Sequence, residues 1–199
     1  MKFEYRDVEI LLEFGDITKC PEVDAIVNAA NERLLPGAGV CGAIFKAAGH
    51  QALYEGCMSH PVLDSIAMRC PTGEARVTGA YGLPNRMIVH AVGPIFDPNK
   101  LTYQEWQLQG SYTSAMVVAN AYSARSIAFP AISCGIYRFP LERAALAAFR
   151  GICAGVEATS IQHIRMVFLP ILDGPKLYEV FTRIFDAQTK GQDNATDPA

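Results

Sequence analysis

Short apolar runs alternate along the chain with longer stretches of helical periodicity. Residues 8–14 are apolar with partial alternation and stop at Gly15-Asp16, and residues 25–29 form a second run. Residues 87–92 stop at Gly93-Pro94, residues 126–132 at Ser133-Cys134-Gly135, and residues 164–169 at Pro170. Continuous apolar runs of this kind predict strands buried on both faces. Between them, residues 42–57 place Ile44, Ala47, Ala48 and Leu53 at helical spacing. Residues 102–122 repeat apolar positions at Leu108, Tyr112, Ala115, Met116, Ala119 and Tyr122. Residues 141–156 and 176–187 read as two further helices, with Pro140 and Pro175 close to their starts, where proline is tolerated. Strands alternating with helices predict an α/β fold with a largely parallel sheet covered on both sides, its first strand pairing antiparallel at an edge. Residues 189–199 are polar and aperiodic, and are expected to be a disordered tail behind a single domain spanning residues 1–188.

The bulk properties narrow the partners. A chain of 199 residues can bury a core without disulfides or metals. The formal net charge of -3 argues against a nucleic-acid backbone, whose binders usually carry a basic face. No apolar run approaches the roughly 18 residues that span a bilayer. Charges occupy Lys2, Glu4, Arg6 and Asp7, where a signal peptide needs an apolar core, so the expected location is cytoplasmic. Cys20, Cys41, Cys57, Cys70, Cys134 and Cys153 form no Cys-x-x-Cys pair, and His50, His60, His90 and His163 lack metal-finger spacing. Free thiols and no metal site are the expectation. Asn194-Ala195-Thr196 matches a glycosylation sequon, read as chance without a secretion signal.

Ligands of open α/β sheets bind beyond the carboxyl ends of the strands. Polar or glycine-rich loops follow three of the expected strands: Gly15-Asp16-Ile17-Thr18, Asn28-Ala29-Ala30-Asn31 with residues 35–42, and Ser133-Cys134-Gly135-Ile136-Tyr137. Gly37, Gly39 and Gly42 satisfy Gly-x-Gly-x-x-Gly ahead of a helix. Glycines admit a ligand close to the backbone, and the following helix offers unpaired N–H groups to an anion. A dinucleotide-binding unit would place the glycines directly after a strand, with an acid about 20 residues further on. Here residues 29–36 intervene, and no second strand leads to Glu55 or Asp64.

The ordered set of segments resembles the macrodomain family, in its MacroD-type branch. The resemblance rests on Gly15-Asp16-Ile17-Thr18, Asp24-Ala25-Ile26-Val27-Asn28-Ala29-Ala30-Asn31, the glycine loop into Gly42-Ala43-Ile44, and Ala47-Ala48-Gly49. It continues through Cys70-Pro71-Thr72-Gly73-Glu74-Ala75, Leu83-Pro84, His90-Ala91-Val92-Gly93-Pro94, residues 127–133, Gly135-Ile136-Tyr137 and Phe139-Pro140. Together these cover residues 8–186 in family order. The resemblance implies a three-layer α-β-α domain with a mixed, mostly parallel central sheet, and a protein that binds ADP-ribose.

Residue roles follow from that resemblance. Asp16 would accept from the adenine amino group, with the Ile17 backbone alongside; the alternative is a helix N-cap. The diphosphate would lie between Gly39-Val40-Cys41-Gly42 and Ser133-Cys134-Gly135-Ile136-Tyr137, on backbone N–H groups. Tyr137 would pack near the distal ribose, the alternative being a core aromatic, and Asn31 would hydrogen-bond the ribose hydroxyls. Asn28 would tie down the loop from inside, and His90, within an apolar strand, reads as a satisfied core histidine rather than a base. Phe168 would point into the core by strand alternation, leaving Ile171 or Leu172 to cover adenine. MacroD-type hydrolases typically carry Asp where this chain has Cys41, whereas several viral macrodomains carry Cys. Cys41 is read as a space-filling neutral thiol with a useful backbone N–H rather than as a base or nucleophile.

The implied reaction is hydrolysis of an ester at the distal ribose, on mono-ADP-ribosylated Asp or Glu of a protein or on O-acetyl-ADP-ribose, with no cofactor. Asn31, Cys41 and Gly135 are the candidate catalytic positions. With no acid at position 41, a substrate phosphate oxygen and loop backbone would hold the water. The rival readings are a non-catalytic reader of ADP-ribose and, third, a phosphatase acting on an ADP-ribose phosphate monoester. A monomer is expected.

Overall fold

The computed structural model describes residues 1–193, with the side chains of residues 192 and 193 left aside. The strands are β1 (Lys2–Tyr5), β2 (Val8–Phe14), β3 (Ala25–Ala30), β4 (Ala75–Gly79), β5 (Met87–Val92), β6 (Ser126–Phe129) and β7 (His163–Phe168). They form one mixed sheet in the order β1-β2-β7-β6-β3-β5-β4. The central pairings β2–β7, β7–β6, β6–β3 and β3–β5 are parallel. The outer strands β1 and β4 pair antiparallel.

Helices cover both faces. Among the described residues they are α1 (Gly39–Ala48), α2 (His50–Met58), α3 (Leu101–Ala121), α4 (Leu141–Ala158) and α5 (Gly174–Asp193). Side chains alternate across the sheet and so sort into two cores. Val27, Val89, Ile127, Phe129 and Met166 meet α3, α4 and α5 in one. Ile26, Ile88, Ala128 and Val167 meet α1 and α2 in the other. The result is a three-layer α-β-α arrangement. No helix among the described residues is long and apolar enough to cross a membrane.

Several sequence expectations need correction. Val8–Phe14 is not an edge strand: it pairs parallel with β7, and β1 lies outside it. Both outer strands escaped the apolar pattern because each has one partner and carries polar positions such as Lys2, Glu4, Arg76 and Thr78. The helix expected over residues 42–57 is two helices, broken at Gly49, where φ is +93°. Helix α5 continues through Thr189 to Asp193, inside the stretch expected to lack structure. The remainder of that stretch, with the Asn194 sequon, lies outside the described residues.

Gly49 sits in backbone space that a side chain occupies only under strain, although an added Cβ would meet nothing within 4 Å. Gly49→Ala is therefore expected to cost about 1–2 kcal/mol through the backbone alone, read as a shifted denaturation midpoint. An unchanged midpoint would mean that the break between α1 and α2 is not set by Gly49.

Candidate functional site

The carboxyl ends of β2, β3, β6 and β7 lie along one edge of the sheet, and the loops that follow them enclose a cleft. One chamber, about 190 Å³, is floored by Ala29 and Ala30 and walled by residues 37–41 on one side and residues 131–133 and 135–137 on the other. A second, about 350 Å³, lies toward β2 and β7, between Asp16, Ile17, Ile171 and Leu172. The two share Gly39, Val40, Ala131 and Gly135, so they form one continuous cleft. A third chamber, about 510 Å³, opens from the other end of the first and shares Asn31, Gly93 and Tyr137 with it.

Among the described residues, no charged side chain lines the first chamber. Its polarity comes from the backbone. The amides of residues 38–41 have no carbonyl four residues back within α1, and no side chain caps that end. Across the chamber, Cys134 N–H donates to Ala131 O, Arg138 N–H to Gly135 O and Phe139 N–H to Ser133 O, which fixes the turn. The amides of Gly135, Ile136 and Tyr137 make no hydrogen bond among the described residues. Two sets of free donors thus border one small chamber, with the positive end of a helix dipole behind one of them.

A buried polar network holds that helix end in place. Asn28 on β3 stands beside His90 on β5, and both point to the α1–α2 face. Asn28 Nδ2 donates to His90 Nδ1 at 3.1 Å and to Cys41 Sγ at 3.6 Å. His90 Nε2 lies 2.9 Å from Thr78 Oγ1, whose hydroxyl donates to Gly79 O. That pattern calls for the neutral imidazole with its proton on Nε2. Burial, with a smaller contribution from the charge of His60, pushes the His90 pKa down to about 3. His90 is a satisfied core residue, as expected, and Asn28 ties down α1 from inside.

The other residues singled out in the sequence divide into several groups. Asn31 lines both the first and third chambers. Its Oδ1 accepts from Arg33 N–H and Leu35 N–H, and its Nδ2 donates to Leu35 O, which leaves one amide hydrogen for a ligand. Cys41 lines the chamber but is only 4% exposed. Burial pushes its thiol up against the opposing hydrogen bond from Asn28, so it is neutral. Asp16 is an N-cap through Oδ1, which accepts from Thr18 N–H and Oγ1–H. Burial alone would raise its pKa, but the Thr18 hydrogen bonds and the Lys19 charge outweigh that and hold it low. Its Oδ2, 3.7 Å from the exposed Lys19 ammonium, remains for a ligand. Gly39, Val40, Gly135, Ile136, Tyr137, Ser133, Ile17 and Ile171 all line the cleft.

Two candidates stand behind the wall. Gly42 does not line the cleft; a Cβ there would lie 2.7 Å from the Gly37 carbonyl oxygen, so its absent side chain lets the glycine loop fold onto α1. The Cys134 thiol lies against Ile132 O, and burial pushes it to about 12. Phe168 points into the core, edge-on to Phe181, as strand alternation predicts. Ile171 is 60% exposed and Leu172 90%, so the far chamber has an aliphatic rim. Glu32, which sequence reasoning passed over, lines the third chamber.

A family model for the Macro domain matches residues 27–148. A protein of Fusobacterium nucleatum is 48% identical over 141 residues, 71% of this chain and 75% of its own length. A macro domain-containing protein of Caldanaerobacter subterraneus is 40% identical over 169 residues, 85% of this chain and 91% of its own. Among solved structures, the Oceanobacillus iheyensis macrodomain with ADP superimposes with a TM-score of 0.85 at 32% identity, covering 96% of this chain and 97% of that one. The Trypanosoma brucei macrodomain in complex with ADP-ribose gives 0.69 at 32% identity, covering 87% and 68%. The chain belongs to the Macro domain family, and its α/β fold is that of the family.

The His90 network makes stability depend on pH with a defined sign. The native imidazole stays neutral down to about pH 3, whereas the unfolded one takes a proton near its ordinary pKa of 6.5. The stabilisation is therefore complete above about pH 6.5 and is lost progressively as pH falls from there to about 3, by at most about 1.4 kcal/mol per pH unit. In urea titrations between these limits, His90→Gln is expected to show a flatter dependence than the wild type. Parallel curves would contradict the assignment.

Proposed function

We propose that this macrodomain binds ADP-ribose and hydrolyses esters at its distal ribose, as a monomer in the cytoplasm. The substrates are mono-ADP-ribosyl-Asp or -Glu on a protein, or O-acetyl-ADP-ribose. The observation that carries the reading is the pair of free amide sets bordering a chamber without charged side chains. A diphosphate supplies the negative charge those dipoles lack, and it needs no Lys, Arg or metal. Adenine fits the far chamber between Ile17 and Ile171, with Asp16 Oδ2 available to an exocyclic amine. The distal ribose then reaches Asn31 and Tyr137. Solved relatives with ADP and with ADP-ribose support this choice of ligand.

Hydrolysis follows from position. Asn31 fixes a ribose hydroxyl through its spare amide hydrogen, and loop amides stabilise the charge that builds on the carbonyl oxygen as water attacks the acyl carbon. Cys41 takes no part as a base, because its thiol is neutral and already engaged. That same observation favours a second reading, a reader that binds the ligand without turning it over. Cys41→Asp separates the two: activity appearing only in that variant identifies a reader. Phosphatase action on an ADP-ribose phosphate monoester is the third reading.

Calorimetry with ADP-ribose, then ADP-ribose release from an auto-modified transferase, tests the reading on one sample. At Gly135 an added Cβ meets nothing within 4 Å, so Gly135→Glu is expected to fold normally while its carboxylate blocks the diphosphate. Binding retained at wild-type strength in that variant would sink the site. Asn31→Ala is expected to lower turnover on the order of 100-fold while weakening binding no more than about tenfold. Equal losses in both would make Asn31 a binding residue only.

A further inference from the structure

We infer that Glu32 is the general base of the reaction, taking the place of the acid that position 41 does not supply. The inference rests on the hydrolase reading above. Three observations carry it. First, Glu32 is the only carboxylate among the described residues that line the first and third chambers. Second, it lines the third chamber directly after Asn31, which with Gly93 and Tyr137 is shared with the first. A distal ribose in the first chamber presents its acyl group there. Third, the carboxylate is held. Thr72 Oγ1–H donates to Glu32 Oε1 at 2.7 Å, which leaves Oε2 for a water.

The backbone at Glu32 is fixed as well. Arg69 N–H and Cys70 N–H both donate to Glu32 O, at 2.8 and 3.0 Å. The 69–72 segment thus crosses to the loop after β3 and closes one side of the third chamber. Tyr137 lines the same chamber; burial pushes its hydroxyl pKa up, and the Glu32 charge pushes it further.

The step balances without a further reactant. Glu32 Oε2 removes a proton from water as the water oxygen bonds to the acyl carbon. The tetrahedral adduct collapses, and the bond from that carbon to the ribose oxygen breaks. The proton on Glu32 passes to the departing ribose oxygen, which leaves a free carboxylic acid, a ribose hydroxyl and the original carboxylate. The third chamber, far larger than an acetyl group needs, receives the acceptor side chain and its flanking peptide.

Glu32→Gln is the informative variant, because its amide oxygen still accepts from Thr72 while the negative charge is gone. Turnover of mono-ADP-ribosyl-Glu peptide and affinity for free ADP-ribose are measured on wild type, Glu32→Gln and Glu32→Gln/Cys41→Asp. We expect Glu32→Gln to lower kcat by about 100-fold or more, with KM and ADP-ribose affinity within about twofold. The added Asp is expected to restore at least a tenth of the lost rate. A Glu32→Gln enzyme within about threefold of wild type overturns the assignment and leaves the hydrolase reading intact. Parallel loss of affinity and turnover overturns it too, by making Glu32 structural. A wild type without turnover sinks the hydrolase reading itself, and the assignment with it.

Discussion

Two contacts hold the first turn of α1 with its amides toward the cleft, one to the loop before it and one to the sheet. The backbone at Gly42 closes onto the Gly37 carbonyl, where a Cβ would stand at 2.7 Å. The Cys41 sulfur accepts from Asn28, which in turn holds His90 across the neighbouring strand. Dipoles are worth more than their small charges suggest when they are fixed in advance and removed from water, since no reorganisation is needed as charge arrives. A chain of formal net charge -3 can in this way present a site for an anion.

The same clamp explains the division of labour proposed across the cleft. A residue at position 41 that serves the sheet with its side chain and the ligand with its amide is poorly placed to be a base. Its thiol is buried, neutral and engaged from below. A carboxylate at Glu32 sits outside that clamp, at the edge of a wider chamber, where water can reach it and Thr72 can orient it. On the proposed reading, binding and chemistry draw on different parts of one loop: backbone at residues 39–41, side chains at Asn31 and Glu32.

Much of this was legible in the sequence, for physical reasons that can be named. The parallel strands announced themselves because burial on both faces demands an unbroken apolar run, as in residues 87–92. The outer strands did not, because one face of pairing tolerates Lys2 or Arg76. Gly49 looked like one more glycine in an apolar-periodic stretch, and only its positive φ reveals the break. Gly42 and Cys134 sit within ligand-like loops, and the structure adds a packing role to each, at the Gly42 Cα and at the Cys134 thiol. Glu32 was invisible for the opposite reason. Its significance comes from a long-range contact with Thr72, and nothing local to a polar residue after Asn31 signals it.

The account stands or falls on where an anionic diphosphate would sit. A crystal structure with ADP-ribose measures it directly. Diphosphate oxygens are expected about 3 Å from amides in both residues 39–41 and residues 135–137, with no Lys or Arg in contact. A diphosphate resting on a side-chain cation, or touching only one of the two backbone segments, would contradict it.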